Sequence, residues 1–233
     1  VYVHKGKWQS LSLHSRTTLK LTAILLVLGT VLVLVLENGN SGTIGNMDFR
    51  EKLLSAWFQS VTSRTAGFNS ILTENLRIST SFVVIILMFI GASPGGTGGG
   101  IKTTTFYCVS KFVAAVVQGK EDVTLEKRRL PEGLVLKAVS IILISIGLVV
   151  ISALALTVTE QASFMDVVFE VVSAFGTVGL TRGITPSLSA SGKVVLVLTM
   201  FTGRVGPLSL AVALSKQTNR AGIRYPEEKV LVG

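Results

Sequence analysis

The chain has 233 residues, of which 48% are hydrophobic and only 15% charged, and its mean hydropathy of +0.62 lies in the membrane range and excludes an ordinary soluble enzyme. The formal net charge of +9 comes from 22 Lys and Arg residues against 13 Asp and Glu. These basic residues sit between apolar blocks with no interleaved aromatics, which argues against nucleic-acid binding and assigns them to loops that orient a membrane protein.

In chain order, a polar, basic leader (1–18) precedes apolar segments at 19–36, 78–92, 105–117, 134–158 and 194–215. The first and fourth segments are long enough to cross a bilayer core as helices, and no small-residue cleavage site makes the first a signal peptide. Segments 78–92 and 105–117 are each too short to span alone. Joined through the glycine stretch between them, they read as one interrupted helix, the pattern expected where unwound backbone lines an aqueous or ion site. His4 and His14 lie in the leader without acidic or thiol companions and read as solvated. Cys108, the only cysteine, sits in an apolar run, so neither a disulfide framework nor a thiolate metal site is available.

After each full-length span comes an amphipathic run of about ten residues that leads to Thr-x-Gly: LLSAWFQSVTSRTAGFNS after the first, FMDVVFEVVSAFGTVGLTRG after the second. Thr65 and Thr177 stand 112 residues apart, and Leu19 and Leu134, which open the spans, 115 apart. This agreement marks an internal repeat of span, half-helix, Thr-x-Gly turn and second span. A ten-residue helix cannot cross the bilayer, so it must enter and leave on one side. Lys and Arg crowd the leader, the link between repeats (119–133) and the tail (217–233), which places those three on the cytoplasmic face and makes the half-helices enter from outside. Such a half-helix aims its C-terminal carbonyls, the negative end of its dipole, at the bilayer centre, where a dehydrated cation gains most. Consecutive carbonyls of an extended Thr-x-Gly turn replace water around that cation when several copies converge on one axis.

The stretch GASPGGTGGGIKTTT (91–105) invites a phosphate-loop reading, but Ile101 separates Gly100 from Lys102 and breaks the pattern by one residue. Its flanks, SFVVIILMFI and FYCVSKFVAAVV, are also wrong for a loop that leaves a buried strand and opens a helix.

FQSVTSRTAGFN, FEVVSAFGTVGLTRG, GASPGGTGGGIKTTTF and FTGRVGPLSLAVAL resemble the third and fourth repeats of the Trk/Ktr/HKT superfamily of potassium transporters over nearly the whole chain. The resemblance implies an all-α membrane protein of tandem span, pore half-helix and span units, with repeats at 19–118 and 134–216. It further implies a selectivity filter of Thr65, Ala66, Gly67, Phe68, Thr177, Val178, Gly179 and Leu180. Beneath the filter it implies a gating loop of Gly91, Ala92, Ser93, Pro94, Gly95, Gly96, Thr97, Gly98, Gly99 and Gly100, continued by Lys102 and Thr103. Potassium is then the transported ion in the cell membrane, the protein a homodimer on a cytosolic ring of nucleotide-binding regulatory subunits, and ATP or ADP the ligand of that partner rather than of this chain. Alternatives are a Na⁺-conducting or Na⁺/H⁺-coupled member of the superfamily, and a membrane protein binding nucleotide through 95–105.

The superfamily carries four repeats and this sequence holds two, beginning on Val1. The expectation is therefore the C-terminal half of a longer chain. Arg204, with apolar residues on both sides, is expected near the middle of the last span as a barrier charge, against snorkelling to an interface. Lys102 is open between a gate contact and a solvated position. Glu170 stands where the first half-helix has Gln59 and is open between bracing the filter and capping it.

Overall fold

The computed structural model describes residues 11–120, 122–125, 128–206 and 209. His4, most of the leader, the last apolar residues up to 215 and the tail 217–233 lie outside the described residues.

Two helices, α1 (Leu13–Glu37) and α5 (Glu132–Thr159), are long and apolar enough to cross a membrane. Both begin a few residues before the apolar runs that predict them. The Ser12 hydroxyl accepts the Ser15 N–H at 3.1 Å and caps α1, while Pro131, which cannot donate, precedes the first turn of α5. Little more than a quarter of the apolar window of α1, and less of α5, is buried by the rest of the chain. The remaining apolar surface faces outward, as a bilayer requires.

α2 (Phe49–Thr62) and α6 (Phe164–Gly176) are the amphipathic helices that follow α1 and α5. At 14 and 13 residues they extend roughly 20 Å, against a hydrocarbon layer of roughly 30 Å. Each starts at a side-chain cap. The Asp48 N–H donates to Glu51 in a capping box at α2, and Ser163 accepts the Asp166 N–H at α6.

α3 (Ile78–Phe89) and α4 (Thr103–Val117) flank the glycine stretch, and α7 (Ala190–Val205) closes the described chain. The two sides of the interruption are tied at its base: Ile90 and Ile101 pair as a parallel bridge, and the Ile101 N–H donates to the Phe89 carbonyl at 3.2 Å. The link between repeats departs from the all-α expectation. It forms a hairpin of β1 (Thr124–Leu125) and β2 (Arg128–Arg129) with Thr124 opposite Arg129, closed by an Arg129–Asp122 ion pair at 2.8 Å.

α6 lies at the centre. Phe169 and Val172 pack with Val84 and Met88 of α3 and with Val178 and Leu180 beyond their own helix, and Val167 and Val171 pack with Leu156 of α5 and Leu196 of α7. Small residues permit the closest approaches. Gly29 of α1 faces the Ser60 hydroxyl of α2, and Gly203 of α7 abuts the Phe175 carbonyl so closely that any side chain would collide with it.

One contact recurs in both repeats. Glu37, at the end of α1, accepts the Arg77 N–H at the start of α3 at 2.9 Å. Glu160, after α5, accepts the Ser189 N–H at the start of α7 at 3.0 Å. In each repeat a carboxylate at the end of the first span thus caps the second, where the positive end of the helix dipole favours an anion.

Candidate ion pathway

α2 and α6 both stop at a threonine turn with an unusual backbone. Thr65 (φ 76°) and Thr177 (φ 51°) are the only described non-glycine residues with positive φ, and each is followed two residues later by a glycine of positive φ, Gly67 (75°) and Gly179 (91°). A left-handed threonine costs roughly 1–2 kcal/mol, so the surrounding contacts must hold it there. In each turn a threonine and a glycine of positive φ flank one residue of negative φ.

The two turns meet. A Cβ on Gly67 would run into the Val178 carbonyl, and one on Gly179 would lie 3.6 Å from the Gly67 Cα. The segments expected as filter, Thr65 to Phe68 and Thr177 to Leu180, are therefore brought together, although their last residues differ. Phe68 is exposed and Leu180 fully buried.

The glycine stretch lies directly against both turns. A Cβ on Gly98 would contact Thr65, and one on Gly99 would contact Thr177. The Gly99 N–H donates to the Thr177 hydroxyl at 2.8 Å, and a Cβ on Gly100, at φ 71°, would lie 3.4 Å from the Gly176 Cα and the Met88 carbonyl. Gly98 and Gly99 leave no room for a side chain, and Gly100 is held to glycine by its positive φ. By contrast Gly95 has nothing within 4 Å and Gly96 only the Ser93 carbonyl at 3.5 Å. Ser93 itself reaches the Thr22 hydroxyl of α1 at 3.4 Å.

Lys102 is not simply solvated, since its ammonium donates to the Gly98 carbonyl and pins the loop. α7 ends at Val205, with Gly206 at φ 94°, so Arg204 occupies the last turn, where the negative end of the dipole suits a cation. Lys102 and Arg204 line one cavity of about 530 Å³ with Gly100, Lys137 and Gly203.

The supports behind the two turns are unlike. In the first repeat Thr62 makes a two-way clasp on Phe68: its hydroxyl donates to the Phe68 carbonyl at 2.6 Å and accepts the Phe68 N–H at 3.0 Å. In the second, Thr185 donates to Glu170 and sits 2.8 Å from the Thr181 hydroxyl. Glu170 thus braces the chain just after the turn from within its own helix, whereas Gln59 at the matching place is fully buried with no partner for its amide among the described residues.

Sequence reasoning missed Arg182. Its Nε pairs with Asp166 at 2.6 Å, and its Nη1 donates to the Leu76 carbonyl at 3.2 Å and to Ser81. One guanidinium therefore ties the chain after the second threonine turn to the first repeat. The available signal was a lone arginine two residues after Leu180 in a stretch otherwise free of basic residues. Glu37 and Glu160 carried a similar signal, as the carboxylates that end the two long apolar runs.

Residues 2–223 match the family model TrkH, described as a cation transport protein. The chain is 40% identical over 227 residues to the Ktr system potassium uptake protein B of Bacillus subtilis, covering 97% of this chain and 51% of that protein. It is 37% identical over 231 residues to the potassium/sodium uptake protein NtpJ of Enterococcus hirae, covering 97% and 51%. The potassium transporter TrkH from Vibrio parahaemolyticus superposes with a TM-score of 0.69 at 20% identity, over 87% of this chain and 44% of that one. The chain thus spans about half the length of these relatives. Its helical fold, its paired threonine turns and its match along nearly the whole sequence agree: the chain belongs to the TrkH family of cation transport proteins.

Proposed function

We propose that this chain supplies two filter segments and the gate of a potassium uptake pore. α1 and α5 cross the membrane, α2 and α6 enter from outside and stop near its centre, and the carbonyls of Thr65 to Phe68 and Thr177 to Leu180 strip water from the ion. The observation that carries this reading is the seating of Gly98 and Gly99 against Thr65 and Thr177; in this reading the stretch is a backbone plug beneath both turns. Four-fold coordination needs two more such segments than these residues hold. Potassium is favoured as the ion by a relative named for potassium uptake, and sodium as a second permeant by one named for potassium and sodium.

In this reading the leader, the link with its hairpin and the tail are cytoplasmic, the protein works as a homodimer in the cell membrane, and a cytosolic nucleotide-binding ring acts on the gate. Lys102 and Arg204 form a positive barrier below the loop, which a cation passes only when the loop and its lysine move aside. Liposome flux of Rb⁺ against Na⁺ tests the reading on the longest protein that carries this chain. Rb⁺ uptake well above Na⁺ uptake is expected, and equal uptake of both would remove the selective filter.

A further inference from the structure

The cavity that holds Lys102 and Arg204 adjoins a second one. That neighbour, of about 410 Å³, opens between the start of α1, α4, α5 and the link hairpin, and Leu13, Leu125, Leu130, Leu134 and Ala138 form its walls. The two share Thr105, Lys137 and Ile141. An apolar compartment of the size that holds small molecules thus runs past Lys137 into a compartment with two further cations, and no Asp or Glu lines either part among the described residues. The Lys102 ammonium is held by a neutral acceptor, the Gly98 carbonyl.

We infer that this groove binds an anionic phospholipid, with an acyl chain between α1, α4 and the hairpin and the phosphate at Lys137, facing Lys102 and Arg204. Three features select this occupant. The walls are largely apolar where a chain would lie, the charged groups at the polar end are all cationic, and the groove is lined by Leu134, an exposed apolar residue next to the exposed Leu136 on α5, where a lipid enters sideways. Basic pockets between membrane helices on the cytoplasmic side take such headgroups. A zwitterionic lipid gains less, because its own ammonium meets three like charges.

The link to the gate rests on the pore reading above. A phosphate near Lys102 competes with the Gly98 carbonyl for the ammonium, which frees the loop. It also offsets the positive barrier of Lys102 and Arg204. Both effects raise cation flux.

Binding is read without ions moving, so it stands or falls apart from the pore reading. Purified protein is titrated with fluorescent phosphatidylglycerol and, separately, phosphatidylcholine. Phosphatidylglycerol is expected to bind more tightly, and Lys137→Gln, an exposed position, to cut that preference about fivefold. Ala138→Leu fills the apolar part without touching the charge and should weaken both lipids. Equal affinity for the two lipids in the parent protein, or a preference unmoved by Lys137→Gln, overturns the site. So does displacement of the lipid by soluble glycerophosphate alone, because the acyl compartment would then do nothing. A cross-link from position 137 to the chain's own Glu227-Glu228 segment in place of lipid would give the groove to the tail. In vesicles, phosphatidylglycerol should raise flux of the parent and not of Lys137→Gln. Intact binding with unchanged flux would overturn the link to the gate.

Discussion

The two repeats reach one backbone geometry by different means. In the first, Thr62 clasps Phe68 within a six-residue loop, and the half-helix behind it buries mainly its small residues, leaving Phe49, Leu54 and Trp57 exposed. In the second, a buried helix carries Glu170 to Thr185, while Arg182 reaches across to the other repeat. Yet both turns set a threonine and then a glycine at positive φ. The shared element is the pattern of backbone angles, and the side chains behind it are free to differ as long as they hold it.

The largest expected effect separates the two glycines. Gly67→Ala places a methyl against the Val178 carbonyl, a backbone atom that cannot step aside, in addition to the roughly 1–2 kcal/mol of a left-handed alanine. Gly179→Ala meets nothing closer than 3.6 Å and bears the backbone cost alone, about tenfold. The Rb⁺/Na⁺ flux ratio should therefore collapse in the first and fall by about tenfold in the second. Equal losses would mean that the turns do not meet as described.

Next comes the loop. Gly99→Ala pushes on Thr177 and should alter basal flux severalfold, whereas Gly96→Ala, near open space, should leave it unchanged. Deleting Gly95 to Gly100 removes the plug and should raise basal flux. A deletion that folds normally and abolishes flux would make the stretch a structural hinge instead.

The Arg182 clasp exists on one side only, so Arg182→Ala asks whether the repeats depend on it. The pair with Asp166 is mostly buried, between the limits of surface and buried ion pairs, and its loss should cost on the order of 2 kcal/mol. A double-mutant cycle with Asp166→Asn, read by thermal unfolding in detergent, should show coupling between the two. Additive effects would leave Arg182 as a backbone anchor to Leu76 alone.

The smallest effect concerns the carboxylate caps. The Ser189 hydroxyl and N–H hold the Glu160 carboxyl below its ordinary value of 4.5. A depressed carboxylate contributes stability that is full above the unfolded value and lost as pH falls through the folded one. Thermal stability should accordingly drop below about pH 4.5, and less so in Glu160→Gln. An identical acid drop in the variant would assign it to other carboxylates.

Much of this was legible in the sequence, because spans, half-helices and glycine-dependent turns are local. Length and hydropathy found α1 and α5, the 112-residue spacing found Thr65 and Thr177, and the continuous glycine run marked the interruption. What stayed hidden depends on distant pairing. Nothing in the sequence near Arg182 names Leu76 or Ser81, more than a hundred residues earlier. The apolar flanks of Arg204 suggested one unbroken helix, and only the backbone turn at Gly206 shows that α7 ends beside it. The hairpin in the link, which pairs Thr124 with Arg129, carried no strand-like alternation.

The bridge between Ile90 and Ile101 has a mechanical consequence. Because the stretch leaves and returns at one point, its end-to-end distance stays fixed however the glycines rearrange. In a gate of this form, opening is a crankshaft rotation of peptide units at Gly95 and Gly100, both already at positive φ, and neither α3 nor α4 has to tilt or slide. Loop motions of that kind run in nanoseconds to microseconds, while collective helix motions take microseconds to milliseconds. Such a gate flickers faster than the scaffold around it can breathe, and it leaves the lipid-facing outline of the protein unchanged between its closed and open forms.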